Sequence, residues 1–183
     1  MKLAFEIAKP SELKNIFDGD LYTLLKNNLI ALMMGQKDNL FRAQTSPDGE
    51  AWLPLGALSK AKRNRKIKDV KKKGQISILN DTGTLKNSIT KLGAPYGIST
   101  IEGDEVGLGT NVEYAAAQNF GATIDVAERS SLFTSDLKTK TNKILPASKF
   151  TIPARPFMGI GSKDEEEISN FIDLFASENG GFE

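Results

Sequence analysis

The chain has 183 residues, 24 Lys and Arg against 23 Asp and Glu, a net charge of +1 at pH 7, and neither cysteine nor histidine. Those two absences exclude disulfides and thiolate zinc sites and remove the commonest general base and metal ligand. The length suits one domain over 1–183 with a real core. No stretch is long and apolar enough to span a membrane, and MKLAFEIAKP lacks the apolar run of a signal peptide, so the chain is expected to fold in a cytoplasm without membrane contact.

Taken in order, Lys2 to Ile7 alternates, with Leu3, Phe5 and Ile7 on one face of a predicted strand that Pro10 ends. Ser11 is placed to cap a short helix through Phe17, broken at Gly19. Asp20 is expected to cap a longer helix, in which Leu21, Leu24, Leu25, Leu29, Leu32 and Met33 form an apolar stripe running to about Ala43. Ser46 to Glu50, SPDGE, is turn chemistry, followed by an apolar anchor at Trp52, Leu53 and Leu55.

Charge then concentrates. From Lys60 to Lys73 there are nine Lys or Arg and one acid, Asp69, leaving 15 bases against 22 acids elsewhere, a net of −7. Lys62, Arg63, Arg65, Lys66, Lys68, Lys71, Lys72 and Lys73 form a basic arm without a convincing apolar face, expected to be mobile. It is either a solvated loop or a segment that meets an acidic partner, protein or nucleic acid. It holds no aromatic residue to stack on bases, which limits any DNA contact to weak, transient and non-specific binding.

Beyond the arm, Leu85 to Leu92, Gly97 to Ile101 and Glu105 to Gly109 read as short strands, the last two joined by a turn at Gly103-Asp104. Tyr114 to Phe120 is a helical turn stopped by Gly121, and Ala122 to Val126 reads as a strand. The polar stretch over 128–141 is an excursion, and Ile144 to Ile152 returns to β character. Ser162 and Glu165 have capping-box spacing at the head of a final helix. Its first turns carry Asp164, Glu165, Glu166 and Glu167, and Ile168, Phe171, Ile172 and Phe175 line one face. The fold class is α+β: a small, mainly antiparallel sheet flanked by a long N-terminal helix and a C-terminal helix.

Catalytic patterns are scarce. There is no nucleophile elbow and no phosphate loop, and Gly107-Leu108-Gly109 and Gly159-Ile160-Gly161 each lack the third glycine of a dinucleotide fingerprint. Helix-dipole complementation accounts for the acidic run at 164–167 without a metal. The expectation is a non-enzymatic protein with no cofactor, no metal and no catalytic residue. A carboxylate-based hydrolase is the weakest alternative and a nucleic-acid-associated factor using 60–73 is the stronger one.

Four stretches, in order, carry a resemblance: FRAQTSPDGEAWLPL (Phe41 to Leu55), ILNDTGTLKNSI (Ile78 to Ile89), VGLGTNVEYAAAQNFGATI (Val106 to Ile124) and IPARPFMGI (Ile152 to Ile160). Together they resemble the virion morphogenesis, or tail-completion, proteins of Mu-like bacteriophages. The resemblance implies a tail-terminator or connector-like fold and a structural role in a virion, prophage-encoded particle or headless tail. It further implies a homo-oligomeric ring, six-fold by the setting of the family, at the neck. There it would join head to tail, between tail tube or sheath proteins and head-neck connectors. The family pattern places a histidine and a glutamine after the tyrosine–alanine run, where this chain has Gln118 and Asn119.

IPARPF itself is stiff, because each proline fixes its own φ and holds the residue before it extended. Such stiffness suits an assembly surface. Tyr114, Gln118, Phe120, Arg155 and Phe157 are therefore the expected interface residues. Phe157 is expected in an apolar pocket made by Ile168, Phe171 and Ile172 or by a neighbour, with Arg155 facing an acidic group.

Overall fold

The computed structural model describes residues 1–6, 13–14, 17–67, 76–127, 129–136 and 139–179. Its architecture is α+β. Among the described residues the elements run β1 (Lys2–Glu6), α1 (Gly19–Ala43), α2 (Ala57–Lys66), α3 (Thr84–Thr90), β2 (Gly97–Glu102), β3 (Glu105–Thr110), α4 (Ala115–Phe120), β4 (Ala122–Val126), β5 (Arg129–Asp136), β6 (Thr139–Leu145), β7 (Ser148–Ile152) and α5 (Ser162–Asn179). The short helix expected before Gly19 falls largely outside these residues.

The central sheet has order β1-β3-β2 and is antiparallel throughout, with Leu3 opposite Leu108 and Ile101 opposite Val106. A hairpin at Gly103-Asp104 joins β2 to β3, and Gly103 has the positive φ that this turn requires. β4 and β7 form a separate two-stranded ribbon, and β5 pairs with β6 as a second one. The polar excursion is that second ribbon.

α1 organises the core. Leu25, Leu29, Ile30, Met33, Met34 and Phe41 are buried on it, recurring at helical spacing, whereas Leu24 lies half exposed. Its cap is Asp18 rather than Asp20: the Asp18 carboxylate accepts the Leu21 amide at 2.8 Å. The helix packs against β3, α3 and α5, so sheet and C-terminal helix share one core that includes Leu85, Ile89, Val106, Leu108, Ile168 and Phe175.

One further expectation needs correction. Residues 84–90 are a helix, not a strand. Leu85, Ser88 and Ile89 fall on one inward face, and the Ser88 hydroxyl lies 2.8 Å from that of Thr110 on β3. The basic arm is helical through Lys66. The Arg63 guanidinium donates to the Ser77 carbonyl at 2.6 Å, and Lys66 pairs with Asp81 at 3.1 Å, which ties α2 to the following chain. Lys68, Lys71, Lys72 and Lys73 lie outside the described residues.

Candidate functional site: a basic, aromatic-edged cleft

Extended chain that joins no sheet must satisfy its backbone elsewhere, and residues 153–158 do so through long-range partners. The Arg155 amide donates to the Gln118 carbonyl at 2.8 Å. The Phe157 and Met158 amides both donate to the side-chain oxygen of buried Asn119, each at 2.9 Å. From the other side the Trp52 indole donates to the Pro156 carbonyl at 2.7 Å. The prolines remove two donors that would otherwise need partners here.

Phe157 is fully buried in the fold of its own chain. Its ring lies 5.8 Å from that of Phe41, which in turn meets Trp52 edge-on at 5.5 Å. Phe41 on α1 is thus a ring partner of Phe157 within a core that also holds Ile168, with Phe171 and Ile172 packed against it. Among the described residues of its own chain, Arg155 faces carbonyls and an amide. Its guanidinium donates to the Leu53 carbonyl at 2.8 Å, the Pro54 carbonyl at 3.2 Å and the Gln118 side-chain oxygen at 3.5 Å. Burial, and then repulsion from Arg63, hold its pKa below the usual arginine value.

Arg155 sits in the wall of a cleft of about 1150 Å³. One wall is α2, which contributes Lys62, Arg63, Arg65 and Lys66. Gln118 and Arg155 also line it, and Tyr96, Tyr114 and Phe150 supply aromatic edges, all three exposed. Buried Leu79 and Val112, with half-buried Leu55, make an apolar floor. Five cations therefore face two carboxylates, Asp81 and Glu113, and Asp81 is already shared by Arg63 and Lys66.

Two lining residues hold backbone conformations that L-residues rarely adopt: Leu79 at φ 57° and Tyr96 at φ 65°. Such strain costs on the order of 1–3 kcal/mol per residue and concentrates where a surface has a task.

The cleft brings together three of the five expected interface residues, Tyr114, Gln118 and Arg155, with the described part of the basic arm. Phe120 is 71% exposed and does not line the cleft, and Phe157 lies in the core. Sequence reading missed Asn119 as the anchor of Phe157. The available signal was the polar pair Gln118-Asn119 placed within an otherwise alanine-rich turn.

Curated proteins and solved structures yield no match to the chain. A family model does match, over residues 21–174, and it spans most of α1, strands β2 and β3 of the central sheet, the cleft and most of α5. The chain belongs to the phage virion morphogenesis family.

Proposed function

We propose that the protein is a tail-completion or tail-terminator subunit. It closes into a homo-oligomeric ring, six-fold, at the head-proximal end of a contractile tail. One face would meet tail tube or sheath proteins and the other the head-neck connector. Family membership supports the assembly role. The observation that favours a ring is the β4–β7 ribbon. Each strand pairs only with the other among the described residues, so both outer edges are unsatisfied. On this ribbon Ile124 stands opposite Phe150, and the two are 46% and 57% exposed; Phe120, at the end of α4, is 71% exposed. Open edges carrying apolar side chains are surfaces that a neighbouring subunit covers.

The test is electron microscopy of particles made with and without the gene. One ring of density per tail, lost on deletion together with the joining of heads to tails, is the expected result. A lone monomer in the particle, or normal head joining without the protein, would sink the reading.

A nucleic-acid role is the second reading, favoured by the five cations and the tyrosines of the cleft. It requires DNA binding that weakens steeply as salt rises and that is lost in Lys62→Ala and Arg65→Ala.

A further inference from the structure

We propose that the cleft is the socket for the outer, acidic face of α5 from a second copy of this chain. The proposal rests on the ring reading above and names the contact that builds the ring.

The socket has charge that the fold does not neutralise. Arg155 is buried, yet all three of its side-chain partners are uncharged. A buried cation without a carboxylate is costly, and it gains most from an anion delivered by a partner. Lys62 and Arg65 are exposed and have no ion-pair partner among the described residues. Of the two carboxylates that line the cleft, Asp81 is already divided between Arg63 and Lys66. The floor is apolar, which suits an amphipathic helix better than a ligand made of phosphates alone.

α5 has the matching chemistry. Its inner face, Ile168, Phe175 and Ala176, is buried in the core. Its outer face carries Glu166, Asn170, Asp173 and Leu174, positions i, i+4, i+7 and i+8, which share one side of a helix. All four are exposed, and Leu174 is 57% exposed. Glu166 and Asp173 thus stand about 10 Å apart along the axis, with an aliphatic side chain beside the second. Two carboxylates with a leucine beside the second answer cations that line a cleft with an apolar floor. The two patches belong to different elements, so the contact is head-to-tail, the type that closes a cyclic ring.

The chain has no cysteine, so introduced thiols are unique. Lys62→Cys chains and Glu166→Cys chains are expressed together in cells that produce the particle, and tails are oxidised and run on non-reducing gels. A covalent dimer that forms only in the mixture is expected. In parallel, Arg65→Glu and Glu166→Lys are each expected to lower the protein incorporated per tail at least tenfold, while thermal unfolding of the free subunit is unchanged. A chain carrying both changes recovers most of the loss.

Rings that form normally without the mixed dimer and without mutual rescue overturn this contact and leave the ring reading standing. Absence of any ring overturns both. Rescue of Arg65→Glu by a basic substitution in another particle protein assigns the cleft to that protein and overturns the proposal. Salt-sensitive DNA binding lost in Arg65→Glu, with rings intact, overturns it in favour of nucleic acid.

Discussion

The Lys37 ammonium is buried 2.9 Å from the Asp164 carboxylate and donates a second hydrogen bond, 2.5 Å long, to the Gly159 carbonyl. One side chain on α1 therefore fixes both the start of α5 and the end of the IPARPFMGI segment. The same carboxylate accepts the Gly161 amide at 3.4 Å, which makes Asp164 the reciprocal member of a cap one residue upstream of the expected Ser162–Glu165 box.

Removing the ammonium strands a buried carboxylate. Lys37→Met is expected to cost about 3–5 kcal/mol. Lys37→Met combined with Asp164→Asn, which keeps an acceptor for Gly161 but no charge, is expected to recover part of that loss. Urea unfolding of the parent and the two variants measures it. A single mutant as stable as the parent would mean that the pair contributes nothing to folding.

Asn119 presents one oxygen to two buried amides. Asn119→Leu strands both, at about 1–3 kcal/mol for each unsatisfied group, whereas Asn119→Asp keeps an acceptor and loses less. The comparison of the two by thermal unfolding isolates the hydrogen bonds from the change in volume. Equal losses in both would show that the acceptor is not what matters.

Periodicity made α1, α5 and the β2–β3 hairpin legible, because each is a local pattern long enough to repeat. Residues 84–90 misled because TLKNSIT offers less than two turns, and its threonines and isoleucine favour strands on propensity alone. The stiffness of IPARPF was readable from its prolines. Its partners were not, since Leu53, Pro54 and Asn119 lie far off in sequence and nothing local marks a carbonyl as an acceptor. Nothing local marks Lys37 as buried for the same reason: its counterion, Asp164, sits more than a hundred residues away. The cleft was divided in the sequence between a basic arm and a tyrosine-containing turn, and only the fold joins them.

Phe157→Ala should destabilise the isolated subunit by about 3–5 kcal/mol, because the ring is enclosed by its own chain and leaves a cavity against Phe41. Denaturation of the purified protein reads this without any assembly step. A variant that unfolds like the parent but fails to enter tails would place the pocket for Phe157 in a neighbour.

Tyr22 should make stability fall at alkaline pH. Its hydroxyl donates to the Asp104 carboxylate at 3.1 Å, and burial, reinforced by that hydrogen bond and by the charge of Asp104, pushes its pKa from 10.0 up to about 12. The folded state thus favours the neutral phenol. The sign follows from which state holds the proton longer. Below pH 10 the phenol is neutral in both states and the contribution is fully present. As pH rises from about 10 to about 12 the unfolded chain ionises first, and the contribution is lost. A shift of that size corresponds to about 2–3 kcal/mol. Lys14 and Lys26 lie close to this ring, so the readout is the difference between the parent and Tyr22→Phe. The parent should lose more stability than Tyr22→Phe between pH 10 and 12 in denaturant titrations. Parallel curves for the two proteins would mean that Tyr22 ionises as freely in the folded chain as in the unfolded one.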